Sequence, residues 1–225
     1  EQYYRRFPED RNRMRALVDH AREGRVELPN GEIVSETRLR SIGHRLGTND
    51  GWQLIHGLLD HDHRSNAFRH DLAALMPFTG RNPLYYVIHE SSYSDGCVTN
   101  WSAERTLPDD FREDATLLTG EHVFREWLDT VPDFQPWKGV AEKIAQTEWP
   151  TLYDKDAIAA SGVRGAASVY VNDLFVPLEF SLETAKLLPN VELFVTSAHE
   201  HNGLRASGGA VLAQLIELAH GRVVR

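Results

Sequence analysis

The chain of 225 residues is 41% hydrophobic and 25% charged, enough apolar material for one sizeable core or for a small domain plus part of another. Its 33 acidic against 24 basic residues give a net charge of −9 with no Lys/Arg-rich run, which argues against a phosphate-neutralising surface and against nucleic acid as a partner. Cys97 is the single cysteine, so neither an intramolecular disulfide nor a cysteine-based zinc site can be built, and the apolar segments fall short of the roughly 20 residues of a membrane helix. The cytoplasm is the expected compartment. Glu1 to Arg6 show neither an initiator Met nor a basic-then-apolar leader, so the start reads as cut.

From Pro8 to Glu23, Met14, Leu17, Val18 and Ala21 recur at helical spacing, with Pro8 suited to the first turn and Gly24 to the stop. Val26 and Leu28, then Pro29-Asn30-Gly31, then Ile33 and Val34 suggest a small hairpin or a tight loop. Ser35 can cap a helix carrying Leu39, Ile42 and Leu46, and Asn49 or Asp50 a helix carrying Trp52, Ile55, Leu58 and Leu59. Helical periods follow at Phe68, Leu72 and Leu75, and at Leu84, Val87 and Ile88. Further helices are predicted near 99–105, 119–129 and 136–146, with Pro108, Pro132, Pro136 and Pro150 as breaks. Residues 1 to about 155 therefore read as almost wholly helical.

The texture changes after Gly162. Ala166–Val171 is small and β-branched, Leu178–Leu188 has a helical period, Val191–Thr196 alternates as a strand, and Val211, Leu212, Leu215, Ile216 and Ala219 mark a closing helix. Strand, helix, strand, helix is the order of an α/β fold with parallel strands. Two parallel strands need further neighbours, so the rest of the sheet is expected from outside this chain.

Loops leaving the carboxyl ends of parallel strands carry the chemistry of α/β folds. Asp173 follows the first strand and His201 the second, the acid-then-histidine order in which a carboxylate fixes an imidazole that deprotonates a serine. On spacing alone a solvated helix cap is the commoner explanation of an Asp after a strand.

The segments Ala167-Ser-Val-Tyr-Val-Asn-Asp-Leu-Phe-Val-Pro177, Ser181-Leu-Glu-Thr-Ala185 and His199-Glu-His-Asn-Gly-Leu-Arg205 resemble the proline iminopeptidases. The likeness extends to Phe7-Pro-Glu-Asp10, Leu28-Pro-Asn-Gly31, Leu46-Gly-Thr-Asn-Asp-Gly51, His89-Glu-Ser91, Gly120-Glu121 and Trp149-Pro-Thr-Leu-Tyr-Asp154, and so covers nearly the whole chain. The resemblance implies an α/β-hydrolase fold, with a mainly helical cap over 1–155 and the last two parallel strands and helices of the core over 156–225. It implies release of N-terminal proline from peptides through a Ser-His-Asp triad, needing no cofactor or metal. Asp173 falls on the triad acid and His201 on the histidine. Glu90, and by a looser correspondence Glu121, fall on cap carboxylates that bind the substrate's amino group.

No Gly-x-Ser-x-Gly occurs, so the nucleophile and its oxyanion loop are expected in a preceding segment, and the chain by itself is expected to be inert. Ser207 with Gly208-Gly209 lies after the histidine and reads as a helix start. Two alternatives belong to other classes. Asp60-His61-Asp62-His63 and His199-Glu200-His201 carry ligand-type residues for a metal-dependent hydrolase. A hydrolase scaffold that has kept only a binding role is the other.

Overall fold

A computed structural model describes residues 1–223, which fall into two compact units: Glu1–Arg45 with Trp52–Thr151, and Leu46–Gly51 with Leu152 onward. Among the described residues no helix is long and apolar enough to cross a membrane.

In the first unit the helix Asp10–Arg22 buries Met14, Leu17, Val18 and Ala21, the face that the spacing selects. Pro8 lies two residues ahead of this helix rather than in its first turn. Gly24, at φ +69°, reverses the chain, since a side chain there would be strained. The expected hairpin is reduced to one antiparallel bridge between Glu27 and Ile33, closed by Gly31 at φ +87°. Ser35 caps the helix Glu36–Arg40 by accepting the Arg38 amide at 3.3 Å, and Ser65 caps Asn66–Leu75 through the Phe68 amide at 3.1 Å.

The helix Pro83–His89 buries Tyr86, Val87 and His89, leaving Leu84 and Ile88 exposed. Tyr86 outcompetes the smaller residues because its ring stacks on Phe134 at 4.3 Å and its hydroxyl donates to the Phe124 carbonyl at 2.9 Å. Phe78, Tyr86, Trp127, Phe134 and Ala141 share one buried cluster. Arg38 is buried beside it, paired with Glu32 at 2.9 Å and lying over the rings of Trp127 and Phe134. Of the helix predicted at 119–129 only Trp127–Thr130 forms, and near 99–105 only Ser102–Arg105. The intervening chain is held instead by Arg40, which donates to the carbonyls of Leu117 at 2.8 Å and Phe111 at 2.6 Å. Gly43 lets that loop approach, because a Cβ there would sit 2.3 Å from the Thr119 carbonyl oxygen.

The second unit holds two parallel strands, β1 (Gly165–Tyr170) and β2 (Val191–Thr196), in register from Gly165 opposite Val191 to Tyr170 opposite Thr196. The first strand begins and ends one residue before its predicted span. The helix Leu178–Ala185 connects the strands and stops short of Leu188, and Ala210–Ala219 closes the unit, burying Val211 and Leu218. The order is α/β, as the sequence pattern requires.

Candidate active site

Asp173 and His201 leave the carboxyl ends of β1 and β2, and the parallel register sets these ends side by side. His201 Nδ1 lies 2.9 Å from Asp173 Oδ2 and 3.2 Å from Oδ1. The Asp173 side chain is only 6% exposed, whereas that of His201 is 47% exposed. Asp173 Oδ1 also accepts the amides of Phe175 at 2.8 Å and Val176 at 3.0 Å, which fixes the carboxylate independently of the imidazole. The Phe175 ring lies against the His201 ring, with centroids 4.7 Å apart. Beside them the Glu200 carboxyl titrates above its usual range, through burial first and the Asp173 charge second.

The His201 loop is secured by neighbours on two segments. Gly203 has no Cβ, and one would fall 2.5 Å from the Tyr170 ring, so glycine is what lets this loop close over β1. On another side, Leu46–Gly51 supplies hydrogen bonds. Asn49, which with Asp50 reads as a candidate helix cap, instead uses its side-chain oxygen to accept the Glu200 amide at 3.0 Å. No local pattern marks Asn49 as a site residue, because its partner lies 151 residues away in sequence.

Glu90 belongs to the first unit. It is 1% exposed; its Oε1 accepts the Ser102 amide at 2.9 Å, while its Oε2 has no hydrogen-bond partner. The backbone just before Ser102 is strained, with Asn100 at φ +47° and Trp101 at φ +59°. The Trp101 indole nitrogen is likewise buried and unpartnered. Glu121 differs: its carboxylate accepts the Tyr85 hydroxyl at 2.5 Å, and its carbonyl takes bonds from His89 at 2.9 Å and Tyr93 at 3.1 Å. Burial and then the charges of Glu90 and Glu121 hold the Tyr93 phenol well above its ordinary value, so both carboxylates act on one ring.

No family model matches the chain. It is 30% identical over 231 residues to a proline iminopeptidase of Aeromonas sobria, an alignment covering 96% of this chain and 53% of that protein. It is 25% identical over 236 residues to proline iminopeptidase aneH of Aspergillus aculeatus, covering 99% of this chain and 52% of that protein. The chain is similar along nearly its whole length to these two proline iminopeptidases. It spans about half the length of the curated relatives it matches.

The remaining candidates are placed as follows. Ser207 Oγ accepts the Val211 amide at 3.2 Å at the start of the last helix. Asp62 is engaged by Arg64 at 2.9 Å and lies 3.8 Å from His63, whose ring stacks on His20 at 4.0 Å, while His61 lies 3.4 Å from Asp71, so no three of residues 60–63 converge. Among the described residues, the ligand-type atoms that do converge are those of Glu9, Asp10 and His56. There Asp10 Oδ2 already takes the Tyr3 hydroxyl at 2.5 Å and His56 Nδ1 at 2.9 Å, and Oδ1 takes Arg13 at 3.1 Å.

Proposed function

We propose that this chain carries the acid, the histidine and the amino-group anchor of a serine aminopeptidase that releases N-terminal proline from peptides. On this reading residues 1–155 are mainly a helical cap, and 156–225 belong to an α/β-hydrolase core whose serine lies in sequence outside this chain. The Asp173–His201 pair carries the proposal: a nearly buried carboxylate, fixed by two backbone amides, faces Nδ1 of an accessible imidazole. With Nδ1–H held by Asp173, Nε2 is the nitrogen left to accept the serine proton.

The steps follow from that arrangement. The serine oxygen attacks the carbonyl carbon of the N-terminal proline as its proton passes to His201 Nε2, giving a tetrahedral oxyanion and an imidazolium stabilised by Asp173. Collapse breaks the C–N bond, and the imidazolium proton goes to the leaving amine, which departs as the shortened peptide. Water, deprotonated by His201, then attacks the prolyl ester, and the returned proton restores the serine as proline leaves.

Selection of a free amino terminus falls to Glu90. A buried carboxylate oxygen without a donor is costly, and a secondary ammonium supplies both the charge and the N–H it lacks. Glu121 adds negative charge nearby, although its carboxylate is already engaged by Tyr85. The test is hydrolysis of a prolyl naphthylamide by the full-length protein. Wild type is expected to turn it over and to reject the N-acetylated substrate. In Glu90→Gln, KM should rise well above its wild-type value, with a smaller change in kcat. An unchanged KM and an unchanged rejection of the acetylated substrate would remove Glu90 from the site.

A further inference from the structure

We propose that Asn49 is a positioning residue for His201, acting through the backbone on either side of the imidazole. The inference rests on the triad reading above and extends it to a segment with no chemistry of its own. Leu46–Gly51 belongs to the same compact unit as the two strands, although 100 residues separate it from the rest of that unit in sequence.

Its hydrogen bonds fall on three successive residues. Asn49 Oδ1 accepts the Glu200 amide at 3.0 Å, the Gly47 carbonyl accepts the His201 amide at 3.1 Å, and the Asn49 amide donates to Asn202 Oδ1 at 3.1 Å. Residues 197–202 otherwise form an irregular loop after β2, and such a loop leaves the imidazole several orientations. Tying 200, 201 and 202 in turn fixes the dihedral angles that aim Nδ1 at Asp173. The same segment also reaches the acid. A Cβ on Gly47 would lie 2.2 Å from Cε2 of Phe175, whose ring abuts His201 and whose amide binds Asp173 Oδ1. Asn49 is itself exposed, so its bonds add little to folding, and their consequence lies in the loop they restrain.

The experiment compares Asn49→Ala, Asn49→Asp and His201→Ala in the full-length protein. Readouts are prolyl-naphthylamide kinetics and the ¹⁵N signals of the His201 ring. A displaced but still folded general base costs about 10- to 100-fold, so Asn49→Ala should lower kcat by that amount with KM changed by less than about twofold. Its His201 signals should move from a single Nδ1–H tautomer toward a mixture. Asn49→Asp keeps an oxygen for the Glu200 amide and should recover most of kcat and the single tautomer. Should Asn49→Ala fail to fold, Asn202→Ala, which removes the acceptor for the Asn49 amide, provides the same two readouts.

Wild-type kcat and tautomer in Asn49→Ala, or an Asn49→Asp as impaired as Asn49→Ala, would overturn the proposal. Failure of the triad reading looks different: His201→Ala would keep its activity, and the ¹⁵N signals of Asn49→Ala would still decide whether Asn49 holds the ring.

Discussion

The first unit encloses Phe78, Tyr86, Trp127 and Phe134 in one buried cluster, while the second leaves Leu152, Tyr153, Leu174 and Phe180 more than half exposed. Both units bury polar atoms without partners, Tyr170 Oη and His199 Nδ1 among those of the second, but their site carboxylates differ. In the first unit Glu90 Oε2, Trp101 Nε1 and Thr99 Oγ1 are buried without partners, whereas in the second the Asp173 carboxylate is satisfied by an imidazole and two amides. The first unit is well packed around a half-paired Glu90; the second is sparsely packed around a fully paired Asp173. On the proposed reading, packing and chemistry are encoded separately: burial leaves a carboxylate oxygen for a charged group, and short-range hydrogen bonds at strand ends align a proton relay.

The largest effect should come from the polar pair. Asp173→Asn keeps an oxygen for the Phe175 and Val176 amides but favours the wrong tautomer of His201, a change that costs about 10⁴-fold in kcat in a comparable triad. Thermal unfolding should move little, and a large fall in melting temperature with kcat intact would reverse the assignment of Asp173 from chemistry to structure. Next is Trp127→Ala in the first unit, where emptying a fully buried indole site costs about 3–5 kcal/mol, read by denaturant unfolding.

A smaller effect concerns pH. Burial first, then the charge of Arg45, lowers the His44 imidazole from 6.5 to about 4 in the folded protein. As pH falls below 6.5 the unfolded chain takes up a proton that the native state refuses, so stability should decline from about pH 6.5 toward pH 4 and level off below that. His44→Gln should flatten this acid slope, and an unchanged slope would discount His44. The smallest effect is expected for Phe180→Ser, since Phe180 is 64% exposed and surface substitutions usually stay within about 0.5 kcal/mol. Binding of a hydrophobic dye should nevertheless decrease in that variant.

Much of this contrast is legible in the sequence where local chemistry decides the structure. Ser35 reads as a cap and serves as one, Met14, Leu17 and Val18 mark the buried face of their helix, and Val191–Thr196 forms the strand its alternation predicts. Asp173 and His201 lie side by side at the strand ends, where the strand order suggests them and the family resemblance singles them out. Where tertiary contacts decide, the pattern misleads. The stretch 119–126 has helical spacing but forms no helix, and its first amide, that of Thr119, donates to the Arg40 carbonyl at 3.0 Å. Asn49 has the sequence of a cap yet binds Glu200. The orphaned oxygen of Glu90 and the left-handed Asn100 and Trp101 have no counterpart in any spacing rule.

The most direct measurement is labelling of the full-length protein with a fluorophosphonate that reacts only with an activated serine, followed alongside prolyl-naphthylamide turnover. Wild type should label stoichiometrically and lose its activity in parallel, and His201→Ala should lose both labelling and turnover by at least about 10³-fold. Labelling and turnover at wild-type rates in His201→Ala would contradict the assignment of the Asp173–His201 pair as a proton relay.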